Sequence, residues 1–387
     1  MGNANNMKLR NQRSIINFLR QQPMSRAELA RQTGLTRAAI SVLIDTLLGE
    51  EIVTEDQLVT GKVGRTSMTI KLNPQKYRIL SINIARDICS VGLCDFSGEI
   101  LMVEKFPQKK EILAKQMLNC LYQKAVDFLK KDRGADRLLG IGITAPGPLD
   151  SIKGTILKPS NFENWHQIEV VSYFKEKFEC PVYMENNAQA LAMAERYYGA
   201  GVREESFLEL VVDTGVGGGL ILNGKPYKGI HGYCGEIGHT TVNLDGERCS
   251  CGNHGCLELY AAIPNILRSA MEKDKSLTSW EKIMDAYEAR DAAAVWLVER
   301  ECRLLAASLT TMMNLLDVGV IFVSGELLYK GAFIYPCMEQ LMKDQMLGHR
   351  GRSIRICPSG LPKESAMIAG ANLVLEKYAA GFETAKS

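Results

Sequence analysis

The residues best equipped for chemistry crowd into positions 232–260, GYCGEIGHTTVNLDGERCSCGNHGCLELY. His239, Cys249, Cys251 and Cys256 supply one imidazole and three thiolates, the number and type of donors that close a tetrahedral zinc site. A site closed in this way is structural, because no vertex remains for water or substrate. Gly246, Gly252 and Gly255 permit the tight turns needed to bring three sulfurs to one ion. The plainer alternative is a set of reduced core thiols, since cysteine is among the most buried residue types. Spacing argues for the metal: a Cys-x-Cys-x-x-x-x-Cys run with glycines between, and a histidine ten residues upstream, is a ligand pattern. His254 is the rival imidazole nearby. Glu236 and Glu258 bracket the cluster. Carboxylates held beside a metal-stiffened loop are placed to grip hydroxyls, which points to a polyol ligand.

The N-terminal elements carry a second kind of chemistry. Apolar residues at Ile15, Ile16 and Leu19 predict an amphipathic helix over 9–19, ended by Pro23. Ser25 with Glu28 three residues on is a capping box opening a helix over 25–33, Gly34 forms a turn, and Thr36 caps a third helix. Ile40, Leu43, Ile44, Leu47 and Leu48 give that helix its apolar face. Two short helices joined by a glycine turn make a helix-turn-helix, and 52–72 alternates around GKVGR as a two-stranded wing. A generic three-helix subdomain has the same pattern, so the polar positions decide between them. Ser25, Arg26, Thr36, Arg37 and Ser41 are donors suited to base edges or phosphates if the third helix lies in a major groove. Lys62 sits between the two glycines of the wing tip and Arg65 follows the second. Residues 1–75 hold ten Lys/Arg against six Asp/Glu, whereas the remainder holds 36 against 38, an asymmetry that fits nucleic acid at one end.

GEIGH followed by CSCGNHGCLE resembles the signature of the ROK family (repressors, open reading frames, sugar kinases), and the resemblance extends over most of the chain. It implies an N-terminal all-α winged helix-turn-helix, which ROK repressors have and ROK kinases lack. A two-lobed actin-like (ribonuclease H-like) α/β sugar-kinase fold with a structural zinc loop follows it. In the kinases an Asp-x-Gly-Gly-Thr loop receives ATP phosphates; here the loop reads Asn83-Ile84-Ala85-Arg86-Asp87. Both glycines have gained side chains, the carboxylate is an amide, and Asp87 would repel phosphate. The family's Glu-Asn-Asp reads Glu185-Asn186-Asn187. Its aspartate is the general base, a task that needs a titratable acceptor. Asn187 cannot take that proton, although an amide still hydrogen-bonds a hydroxyl. Asn186 and Asn187 also suit a plain capping role. A second glycine-rich loop, DTGVGGG at 213–219, is weak support for phosphate, since a structural hairpin needs glycines too, and Ser324-Gly325-Glu326 keeps one glycine of a cluster. The sugar-site types of the family are kept at Asn161, within SNFENW, and at Asn186, Glu236, His239 and Glu258, with Asn187 able to join them.

At 387 residues, 46% hydrophobic and 23% charged, the chain can bury a sizeable core and fill two or three domains. These are expected at 1–75 (winged helix), 76–195 (first lobe, joined by a C-terminal helix over 366–387) and 196–365 (second lobe, with zinc loop and dimer surface). Eleven cysteines fall short of a disulfide scaffold and imply a reducing, cytoplasmic setting. No apolar run is long enough for a membrane span, and the N-terminus lacks the apolar core of a signal peptide. The expected function is a sugar-responsive repressor with a catalytically dead kinase-like domain, structural Zn2+, and operator DNA as partner. The inducer is expected to be a monosaccharide (xylose, glucose-like or N-acetylated) and the assembly a homodimer or dimer of dimers. Resemblance to the xylose-responsive members, through SNFENW and CSCGNHGCLELYA, makes xylose the expected sugar. An active kinase fused to a DNA-binding module is the alternative, and a zinc-held scaffold answering to a protein partner a third.

Overall fold

The structure is a computed structural model that describes residues 2–58, 67–133, 137–348 and 351–384. Helices α1 (Gly2–Gln21), α2 (Arg26–Thr33) and α3 (Arg37–Gly49) open the chain. Helix α1 begins seven residues before the stretch that its apolar periodicity marks, because periodicity reports only a packed face. The Ser25 and Glu28 capping box forms, Thr36 accepts from the Ala39 N–H, and Gly34 ends α2 at φ +70°, a left-handed backbone that costs glycine nothing. Strands β1 (Val53–Leu58) and β2 (Ser67–Leu72) pair antiparallel, Val53 opposite Leu72. Two backbone bonds between Met24 and Ile70 tie β2 to the helices. The GKVGR tip, with Lys62 and Arg65, lies outside the described residues.

Five strands build the first large sheet. They are β3 (Arg78–Asn83), β4 (Ile88–Asp95) and β5 (Ile100–Pro107) and, after α4 (Ala114–Asp132), β6 (Leu138–Ala145) and a later partner. The sequence reads as two strands over 77–101; the structure has a further break at 84–87, which turns Arg86 and Asp87 out of the sheet. A small three-stranded flap follows, β7 (Leu149–Asp150), β8 (Thr155–Ile156) and β9 (Ile168–Glu169), then α5 (Val170–Lys175), β10 (Val182–Asn186) and α6 (Asn187–Tyr198). The sheet order is β10-β6-β3-β4-β5, with β3–β5 antiparallel and β6 and β10 joining in parallel.

The second large sheet repeats this plan. Strands β11 (Phe207–Val212), β12 (Val216–Leu222) and β13 (Lys225–Pro226) form the antiparallel meander. Helices α7 (Glu258–Ala261), α8 (Ile263–Lys273), α9 (Trp280–Glu288) and α10 (Ala292–Leu316) precede β14 (Val320–Gly325). Then come α11 (Tyr335–Gln345), β15 (Arg355–Pro358) and the last helix, α12 (Ser365–Thr384). The order β13-β12-β11-β14-β15, with β14 and β15 parallel to β11, matches the first sheet strand for strand, the internal duplication that self-similarity of sequence is too faint to prove. Helix α12 covers β3 and β6 and reaches α1 as well. Ile15, Leu29, Ile44 and Ile70 therefore share one core with Ile79 and Cys94 of the first sheet and with Val374 and Leu375 of α12. Among the described residues no helix is long and apolar enough to cross a membrane.

Candidate functional site

The loop between β13 and α7 folds back on itself until His239, Cys249, Cys251 and Cys256 bring their ligand atoms within 4.8 Å of one another. His239 Nδ1 stands 3.6 Å from Cys249 Sγ, and Cys251 Sγ stands 3.6 Å from Cys256 Sγ. A tetrahedron with metal–sulfur bonds of about 2.3 Å and a metal–nitrogen bond of about 2.0 Å has edges of roughly 3.5–3.8 Å, a spacing that these two pairs match, with all four donors inside 4.8 Å. His254 is not in this group of donors and bonds instead toward the Gly246 carbonyl. Gly252 and Gly255 have φ of +100° and +61°. Gly246 is needed for a different reason, since a Cβ there would strike the Tyr260 hydroxyl. The Asn253 amide donates to Cys256 Sγ (3.4 Å), the His239 carbonyl (3.3 Å) and Thr241 Oγ1 (2.9 Å), the outer contacts that hold a metal ligand in place. Burial, then the neighbouring Cys251 and Cys249 sulfurs, hold the Cys256 thiol well above its ordinary pKa. Three sulfurs this close call for a cation, and a divalent metal fits the donor set.

His239 faces two ways, with Nδ1 among the sulfurs and its ring on the wall of a cavity of about 180 Å³. Asn186, Asn187, Glu236 and Glu258 share that wall with Asn83, Thr144 and Gly147. Helix α6 starts at this point: the Asn186 side chain caps it, accepting from the Ala188 and Gln189 N–H groups. Asn187 Oδ1 accepts from the Ala188 N–H, so the capping expectation and the lining of the cavity hold together. Glu258 Oε2 accepts from the Val216 N–H (3.1 Å), which fixes one of its two oxygens. Gly147 lets the walls close, because a Cβ there would collide with the Glu236 carboxylate and the Asn186 amide. Asn161 is not on this wall. It stands exposed at φ +55° and lines two neighbouring recesses, one beside Glu258 and one beside Arg86.

Asp87 and Asp213 line the same cavity together with Arg86, and Glu326 adjoins them. Arg86 also stands close to Glu258, since a Cβ at Gly215 would lie 2.8 Å from both Arg86 Nη1 and Glu258 Oε2. Burial and then Asp87 push the Asp213 carboxyl up to about 6, against the opposing pull of the Thr214 N–H and Arg86. Burial, then Asp213, Glu281 and Asp87, push Glu326 up to about 7. Carboxyls that resist ionising beside one another are the reverse of a phosphate cradle. Arg86 is the cation here, and its Nε donates to the Ser160 carbonyl (2.8 Å). Asn83 Oδ1 accepts from the Thr144 hydroxyl (2.8 Å), a neutral pairing at the position of the kinase carboxylate. Asp213 opens the glycine-rich DTGVGGG loop and Gly147 lies in the turn of ITAPGPLD, and only the fold brings these two segments to one cavity.

In the N-terminal module, Thr36 and Arg37 are exposed at the start of α3. Ser25 is occupied in its capping box, and Ser41 is half-buried. Arg26, expected as a DNA contact, is engaged inside the module: its guanidinium bonds Glu55 (2.8 Å), Asp45 (2.9 Å) and the Ser41 carbonyl (3.4 Å).

The ROK family model matches residues 79–377. A xylose repressor of Bacillus spizizenii is 28% identical over 372 residues, covering 95% of each chain. The DNA-binding transcriptional dual regulator NagC of Escherichia coli is 27% identical over 382 residues, covering 95% of this chain and 93% of its own. Among solved structures, a ROK family transcriptional regulator homologous to the E. coli MLC protein superposes with a TM-score of 0.80 at 25% identity, covering 98% of both chains. A ROK family glucokinase from Streptomyces griseus, in complex with glucose and AMPPNP, shares the fold. It has a TM-score of 0.67 at 23% identity and covers 76% of this chain and 98% of its own.

Proposed function

Because the chain belongs to the ROK family, we propose that it is a sugar-responsive transcriptional repressor whose kinase-like body senses a monosaccharide and performs no phosphoryl transfer. One observation carries the reading. Asn186, Glu236, His239 and Glu258 converge on one cavity, which is also lined by Asn187, matched to the family's base, and by Asp87, Asp213 and Arg86 from the two loops matched to its phosphate loops. Hydroxyl recognition is retained there; base and phosphate cradle are gone together, and phosphoryl transfer needs both.

His239, Cys249, Cys251 and Cys256 would hold a structural Zn2+, which would supply positive charge and a rigid loop. His239 and Glu258 would then present their remaining polar atoms to sugar hydroxyls, with Asn186, Asn187 and Glu236 on the facing wall and Asn161 at the rim. Thr36, Arg37 and Ser41 on α3 would contact operator DNA, with Lys62 and Arg65 at the wing. The relatives' names point to xylose or N-acetylglucosamine, and xylose is the sugar proposed first. The carboxyls of Asp87 and Asp213 in the cavity favour a neutral sugar over a nucleotide.

Thermal denaturation of the protein with D-xylose, D-glucose, N-acetyl-D-glucosamine and their phosphates tests this, since a ligand bound by the folded state raises the melting point by mass action. A neutral monosaccharide should raise it, and ATP with magnesium should neither raise it nor be consumed. Steady turnover of ATP with any of these sugars would defeat the reading.

A further inference from the structure

Arg20, in the last turn of α1, is fully buried, with its side chain 0% exposed. Its partners come from three helices. Nη1 donates to Asn17 Oδ1 of its own helix (3.1 Å) and to Glu376 Oε2 of α12 (3.4 Å). Nη2 donates to Asn372 Oδ1 of α12, and Nε to the Tyr198 hydroxyl at the end of α6 (3.2 Å). The guanidinium lies over the Tyr197 ring, 3.8 Å from its centroid. Burial works against the charge, and Tyr198, Tyr197 and Glu376 outweigh it, so Arg20 stays ionised.

Well-packed apolar side chains usually serve a static junction as well as a buried ion pair does, or better. What a forked cation adds is direction, because its hydrogen bonds hold only over a narrow range of distance and angle. The helices it grips also have their other ends in the sugar cavity. Helix α6 starts there with Asn186 and Asn187 and, one turn on, Leu191; its 12 residues span roughly 18 Å and finish on Tyr197 and Tyr198. Helix α12 lines the same cavity with Ser365, Ala366 and Ala369, and meets Arg20 one turn later at Asn372 and two turns later at Glu376.

We propose that Arg20 is the positioning residue through which the state of the cavity reaches the DNA-contacting helices, with α6 and α12 as two rods that run from the sugar to its guanidinium. The inference rests on the repressor reading above. A shift of either rod on sugar binding moves an acceptor of Arg20, and α1, which carries Arg20, packs on α2 and α3.

The test uses full-length protein and a DNA duplex selected by the wild type from a random-sequence library. Affinity is measured with and without D-xylose, D-glucose or N-acetyl-D-glucosamine. Coupling of ordinary size weakens wild-type DNA binding by about 5- to 150-fold when the effective sugar is added. Arg20→Met should still bind the duplex, and calorimetry without DNA should show unchanged sugar affinity, but the sugar-dependent change should fall to less than about 2-fold. Arg20→Lys, which keeps charge without the fork, and Tyr198→Phe, which removes one acceptor, should each lower it part of the way. These two carry the test if Arg20→Met does not fold. A mere brace would lower the melting point of the variants and leave the sugar-dependent ratio intact, and that result overturns the inference alone. A wild type whose DNA affinity no sugar changes defeats the repressor reading, and this inference with it.

Discussion

An amide at position 187 and the carboxyls at positions 87 and 213 line the same cavity. Asn187 cannot accept a proton from a sugar hydroxyl, and Asp87 and Asp213 bring acidic groups, not phosphate donors, to that cavity. Restoring the base by Asn187→Asp is therefore expected to leave ATP-dependent phosphorylation undetectable. A coupled assay reading the roughly 1–100 per second of ordinary kinases would contradict this. Asp213 also makes a pH-dependent contribution to stability. Its folded pKa of about 6 lies above the ordinary 3.8, so between these values the folded state keeps a proton that the unfolded chain has lost. Stability then declines as pH rises through this window, and above it the full penalty applies, on the order of 3 kcal/mol. Asp213→Asn should raise the melting temperature at pH 8 and leave it nearly unchanged at pH 4, as scanning calorimetry would show.

Two elements depend on a few side chains for their shape. The loop from 227 to 257 has little regular structure, and its inner contacts converge on the four metal-type donors. Cys251→Ser, or treatment with a strong chelator, should release one zinc per chain. It should also loosen Glu258 and His239, so that sugar affinity and melting temperature fall together. Full zinc content with unchanged sugar binding in Cys251→Ser would count against the site. Helix α3 presents Arg37 to solvent, whereas Arg26 is spent on Glu55 and Asp45. Arg37→Ala is accordingly expected to abolish DNA retardation without altering the melting temperature. Arg26→Ala should lower the melting temperature by removing the tie between α2, α3 and β1.

For the whole molecule, one recognition helix reads too few base pairs to define a single site, so a symmetric pair of modules on half-sites about one helical turn apart, or a multiple of it, is expected. Light scattering should give an even-numbered homo-oligomer, a dimer or a dimer of dimers. Linkage makes the coupling reciprocal: a sugar that weakens operator binding must itself be weakened by operator DNA to the same degree, typically by about 1–3 kcal/mol. Glu258→Ala, which removes a cavity carboxylate, should leave the protein on DNA at sugar concentrations that release the wild type, as paired gel-shift titrations would show.

Signals that act over a few residues were legible in the sequence. The capping box at Ser25 and Glu28, the Thr36 cap, the turn at Gly34 and the run of Cys249, Cys251 and Cys256 each depend on neighbours within one or two turns of chain, and each appears as its local chemistry demands. The family motifs extended that reach to Glu236, His239, Asn186 and Asn187, which do meet in one cavity. Tertiary structure alone decided the rest. It set Asn161 beside the cavity wall and paired Arg26 with Glu55 and Asp45. It split the first hairpin at 84–87, and it ran one core from α1 through the first sheet to α12. Arg20 shows why: its acceptors at 198, 372 and 376 lie 178 or more positions away. No periodicity or spacing links residues that far apart; they meet only because α1, α6 and α12 bury their faces against one another.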